Sequence, residues 1–196
     1  MTQGSLTELE PAERHRRVAA GLAAVAAQVT DWDAPSPVPQ WRARDVVGHL
    51  LEWFPGFLAG GGVTLPAGPG PDDPVAAWRH QADAVQALLD DPATAGRMFE
   101  RDHVPAQPLA EAVDRFYTAD VFMHTWDLGR AAGVTVALDP AWCAALLAGM
   151  TPIEDLMRAS GQYGPAVAVP DDADPQTRLV AFIGRDPGWI PAVTRS

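Results

Sequence analysis

Three aspartate-proline pairs, Asp73-Pro74, Asp139-Pro140 and Asp174-Pro175, stand in front of runs with helical hydrophobic spacing and constrain this chain most. An aspartate side chain accepts from the open N–H groups of a first helical turn. Proline pre-sets the backbone angle of that turn and lacks the N–H that would go unpaired there. Each pair therefore predicts a helix start. One helix runs from Pro74, with Trp78, Ala82, Val85 and Leu89 on its buried side. A fifth helical region runs from Pro140 to about Ser160, broken near Gly149 to Pro152, and a short last helix runs from Pro175 to Ile183.

Apolar periodicity supplies the other helices. A capping-box pattern from Ser5 to Glu8 leads into a first helix with Val18, Leu22, Val25 and Val29 along one side, ended by the turn-rich DWDAPSPVPQW. A second, over about residues 42 to 59, carries Val46, Leu50, Trp53 and Phe57, with Pro55 expected to kink it. A fourth, from Leu109 to Ala132, shows the stripe Leu109, Val113, Phe116, Asp120, His124, Asp127, Ala131 and is capped by Gly133. The stretch from Asp91 to Pro108 reads as irregular, with a short hairpin around residues 97 to 104 as the alternative. No convincing strand pattern, repeat or linker is present. The expectation is an all-α fold, one domain over residues 1–196, with four main helices joined by long connections and extra helices at the C-terminal end.

Three ionisable groups interrupt those core faces. At 100° per residue His49 lies with Val46 and Trp53, while Asp120 and His124, four residues apart in ADVFMH, project from one face a turn apart. Polar groups buried there need partners. Two imidazoles and one carboxylate from two helices suit a divalent metal, zinc foremost, with Ni2+, Fe2+ and Mn2+ chemically acceptable, and leave a coordination position open. The bland alternative is a hydrogen-bonded polar cluster in the core with no ion.

Asp127 shares the face and is read as orienting a ligand histidine, with direct ligation as the alternative. Asp127 and Asp45 are the candidate catalytic groups, and Trp53, Phe116 and Trp126 are candidate pocket walls that bind a cosubstrate. Glu52 reads as solvated, His15 as a bundle-rim residue outside the site, and His80 and His103 as solvent residues. Cys143, the single cysteine, reads as a small buried side chain.

Composition narrows the function classes. A net charge of −11 with no basic stripe argues against nucleic acid as a partner. All 14 cationic residues are arginine, so lysine chemistry is absent, and one cysteine excludes a multi-cysteine zinc site. No apolar run is long enough to span a bilayer, and the amino terminus MTQGSLTELEPAERHRR has no signal-like apolar core, so a soluble cytoplasmic protein without a membrane partner is expected.

The segments PSPVPQWRARDVVGHL and DVFMHTWDLGRAAG resemble the DinB-like superfamily. Within it they resemble the metal-binding domain of mycothiol-dependent maleylpyruvate isomerases and their single-domain relatives, and the ending ADPQTRLVAFIGRDPGW resembles that group's closing segment. The resemblance implies a four-helix up-down-down-up bundle with a divalent ion held at His49, Asp120 and His124. Mycothiol-isomerase sites carry glutamate where this chain has Asp120. The implied activity is a metal-dependent transferase or isomerase that activates a small thiol, with mycothiol as a candidate cosubstrate, or water, toward a small electrophile. A noncatalytic metal- or ligand-binding bundle, and a helical dimerisation domain acting as a homodimer, are the alternatives.

Overall fold

The computed structural model describes residues 4–191 and is mostly helical. In chain order the helices are α1 (Pro11–Ala26), α2 (Ala43–Gly60), α3 (Pro74–Asp90) and the single turn α4 (Pro92–Ala95). A hairpin of β1 (Met98–Arg101) and β2 (Val104–Pro108) follows, then α5 (Leu109–Ala112), a π-helical segment (Val113–Thr118) and α6 (Ala119–Ala131) without interruption. α7 (Pro140–Met150), α8 (Glu154–Ala159) and α9 (Pro175–Phe182) complete the order. Among the described residues no helix is long and apolar enough to cross a membrane. The first three residues of the amino-terminal stretch read above lie outside the described residues.

The aspartate-proline pairs do what their chemistry requires. Asp73 accepts from Ala76 N–H, Asp139 from Trp142 N–H and Asp174 from Thr177 N–H, each with proline in the first turn. Asp91-Pro92 starts α4 in the same way. The Ser5 cap is spent on a 3-10 turn, Leu6–Glu8, and α1 starts instead at Pro11 behind Glu10. α7 ends near the expected break, where a 3-10 turn, Thr151–Ile153, leads into α8.

α1 packs on α3 and α6, α2 on α3 and α6, and α7 on α9. One buried cluster joins Leu22, Leu50, Phe54, Trp78, Val113, Tyr117 and Leu128 with Leu179 and Ile183 from the C-terminal segment. Burying each such side chain contributes about 1.5 to 3 kcal/mol.

Two departures from the periodic reading have local causes. The irregular segment is a β-hairpin over 98–108, with Phe99 opposite Gln107 and a bulge before Arg101. Its one fully buried ring, Phe99, packs 5.2 Å from Phe57, too little alternation to be read as a strand pattern. In the fourth helix, Tyr117 is fully buried and Phe116 only half-buried, the reverse of the expected stripe. The π turn takes one residue more than an α turn, so the core positions Leu109, Val113 and Tyr117 run one residue out of step with Asp120 and His124.

Candidate metal centre

α2 presents His49 and, one turn on, Trp53, while α6 presents Asp120, His124 and Asp127 across the α2–α6 contact. His49 Nε2 lies 3.2 Å from Asp120 Oδ2, and His124 Nε2 lies 3.5 Å from Asp120 Oδ1. One ligand atom from each of the three residues falls within 4.8 Å of the others. Ligands bound tetrahedrally at 2.0–2.1 Å from a shared zinc ion stand about 3.3 Å apart, which is the spacing of each imidazole from the Asp120 carboxylate, and two imidazoles with one carboxylate are the donor types such an ion takes.

The surroundings prepare the donors. Asp127, which has no exposed surface, accepts from His124 Nδ1–H at 2.9 Å. A carboxylate oxygen accepts, so Nδ1 carries a proton in this pair and Nε2 is the nitrogen turned toward Asp120. Trp53 Nε1–H donates to Asp120 Oδ2 at 3.0 Å. Burial opposes ionisation of Asp120, but the attraction of His124, the hydrogen bond from His49 and that from Trp53 outweigh it, holding the carboxyl below its ordinary value. Burial likewise opposes protonation of His124, and the Asp120 charge with the hydrogen bond to Asp127 overcomes it, raising the imidazole above its ordinary value.

Of the wall residues, Trp53 reaches the site and contacts His49, with ring centroids 6.2 Å apart. Phe116 packs against Phe57 at 5.3 Å, away from the three donors. Trp126 packs under the Arg130 guanidinium at 5.3 Å, two residues round the helix from His124. Asp45 caps its own helix, accepting from Arg42 N–H at 2.8 Å, and makes no hydrogen bond to His49, Asp120 or His124. Glu52 is exposed, His80 is half-buried against the Pro66 carbonyl, and His103 occupies the exposed hairpin turn. His15 is not at a rim but fully buried.

Three site residues were not singled out by periodicity. Trp41, just before α2, lies across both imidazoles, 5.0 Å from His49 and 5.7 Å from His124. Its one sequence signal is an apolar residue immediately ahead of a helix cap. Gln40, which aims it, has φ +68°, a left-handed conformation costly for a residue with a side chain. Arg185 reaches both oxygens of Asp127, at 3.3 Å each. Tyr163 comes from the connection after α8; burial first, and then the nearby Asp120 charge, push its phenol up to about 12, so it stays protonated at neutral pH. Neither Arg185 nor Tyr163 sits in a helical pattern that sequence reasoning can phase.

Two uncharacterized proteins of Mycobacterium tuberculosis, from strains CDC 1551 / Oshkosh and ATCC 25618 / H37Rv, are each 27% identical to the chain over 187 residues. Each alignment spans 90% of this chain and 98% of the relative. No solved structure matches it significantly. The family described as mycothiol maleylpyruvate isomerase N-terminal domain matches residues 12–129, a span that includes the whole three-residue donor cluster. The chain belongs to the mycothiol maleylpyruvate isomerase N-terminal domain family.

Proposed function

We propose that this chain is a divalent-metal-dependent enzyme that activates a small thiol of the mycothiol kind, or water, for transfer to or isomerisation of a small electrophile. In this reading it is a single cytoplasmic domain built as an up-down-down-up four-helix bundle, and zinc is the preferred ion. The observation that carries the proposal is the approach of His49, Asp120 and His124 from two helices to within ligand spacing of one another.

His49, Asp120 and His124 would hold the ion. A bound divalent cation lowers the pKa of a thiol or water, which supplies a nucleophile at neutral pH. The chain's residues do the rest. Asp127 fixes the His124 ring, Trp53 orients the Asp120 carboxylate, and Trp41 packs against both imidazoles. Asp45 is occupied as a helix cap, which leaves Asp127 the better supported of the two candidate acids.

Metal analysis of the purified, zinc-reconstituted chain, beside His49→Ala and His124→Ala, tests the reading. Stoichiometric zinc in the wild type and its loss in both variants is expected. A wild type that stays metal-free overturns it. One observation favours a noncatalytic metal-binding bundle: the Trp41 ring already packs against both histidines. Thiol-dependent turnover of small electrophiles by the loaded protein separates the two readings.

A further inference from the structure

The C-terminal segment lies beyond the residues that match the family, 12–129, yet it reaches into the candidate centre. Arg185 is buried, 8% exposed, at the end of a short run that is tied down at several points. Its own N–H bonds the Val180 carbonyl at 3.0 Å, and its Nη1 bonds the Ile183 carbonyl at 3.0 Å. Before it stands Gly184, with φ +86°, where an added Cβ would lie 2.8 Å from Gly164 Cα. Arg158 bonds the Phe182 carbonyl at 2.8 Å and also holds Gly164 O, so α8, the connection after it and the end of α9 are fastened together under the guanidinium.

From that platform the guanidinium presents Nε to Asp127 Oδ1 and Nη2 to Asp127 Oδ2, both at 3.3 Å. A carboxylate with no exposed surface needs a counter-charge and a fixed rotamer, and a two-point fork supplies both. One of the two Asp127 oxygens that Arg185 holds, Oδ2, also accepts from His124 Nδ1–H. The connected order is Arg185, Asp127, His124.

We infer that Arg185 is a positioning residue of the metal centre. Resting on the metal reading above, this makes the C-terminal segment part of the site. By holding Asp127 it keeps the His124 Nδ1–H bonded and the ring turned so that Nε2 faces Asp120 and the proposed ion position. Outer groups of this kind set metal affinity by roughly 10- to 100-fold. A fork lost to a single ammonium retains charge without the two-point geometry, so lysine is expected to restore only part of the effect.

The experiment uses the full chain, Zn2+ alone as the probe, and competition with a chromophoric chelator. Arg185→Gln is expected to weaken Zn2+ binding by roughly 10-fold or more, with Arg185→Lys in between. In the metal-free protein, the His124 Nδ1–H held by Asp127 is expected to give a downfield, slowly exchanging proton signal in the wild type and a weakened or lost one in Arg185→Gln. A folded Arg185→Gln with wild-type affinity and an unchanged Nδ1–H signal overturns the inference. Should Arg185→Gln fail to fold, Arg185→Lys carries the test, and wild-type affinity with an unchanged Nδ1–H signal there overturns it equally. A wild type that takes no Zn2+ ends the metal reading, while the Nδ1–H signal still decides whether Arg185 positions His124.

Discussion

Two buried histidine settings in this molecule look alike in sequence and differ in chemistry. His15 on α1 has no exposed surface, bonds the Gln86 side-chain oxygen through Nδ1 at 2.9 Å and stacks 6.2 Å from Tyr117. Its pKa is held down by burial, with Gln86 only partly offsetting it. His124 on α6 is as deeply placed but lies between two carboxylates, and its pKa is raised. The Gln86 amide pairs one nitrogen of a neutral ring and leaves His15 Nε2 without a partner among the described residues, whereas a carboxylate can sustain a cation or share a metal. A histidine on an apolar stripe is therefore uninformative until the partner across the contact is known.

The largest expected effect tests that contrast directly. His124→Ala should lower Zn2+ affinity on the order of 100-fold or more, above the usual range for outer groups. His15→Gln should leave it within about twofold, as for an independent site. Chelator competition measures both, and equal losses would erase the distinction.

The next effect is a pair of opposed pH slopes. Below its ordinary value of 6.5, His15 takes up a proton in the unfolded chain sooner than in the folded one, so its contribution to stability is lost as pH falls through that point. Asp114, salt-bridged to Arg14, is raised by burial from 3.8 to about 6. Over that window the folded chain keeps a proton that the unfolded chain releases, so its contribution is lost as pH rises. Urea unfolding from about pH 4 to pH 7 should show each slope vanish, in His15→Leu and Asp114→Asn respectively.

Smaller effects sharpen the site side of the comparison. Trp53→Phe removes the indole N–H from Asp120, worth about 1.5 kcal/mol for a bond to a charged acceptor, or roughly tenfold in Zn2+ affinity. Gln40→Gly relieves a left-handed residue and should stabilise the fold by up to about 1 kcal/mol, read by thermal unfolding. A destabilised Gln40→Gly would show that the Gln40 side chain, and not backbone strain alone, helps seat Trp41.

Much of this was legible in the sequence because helix starts and core stripes are local properties. Asp139 caps α7 through a bond three residues away, and His49, Asp120 and His124 fall on faces that a 100° repeat can phase. Whether three side chains on two helices come within ligand spacing depends on how those helices cross, which no local pattern encodes. The parts that were not legible sit where no repeat exists. Trp41 hangs on a loop closed by the Ser36 N–H to the Trp41 carbonyl, and Arg185 meets Asp127 across 58 positions. The exchange of Phe116 for Tyr117 in the core has a different origin: the periodic argument assumes every turn is the same size, and the turn at Val113–Thr118 is wider.

That wide turn divides one continuous rod into two independently phased halves. Upstream, Leu109 and Val113 belong to the half that carries the hairpin; downstream, Asp120, His124 and Asp127 belong to the half that faces α2. Losing one residue inside 113–118 would swing the first half by about 100° while sparing the second. The molecule thus has a joint at which the hairpin end and the Asp120–His124 end of one rod are phased separately, so a single-codon change in length there resets one end against the other.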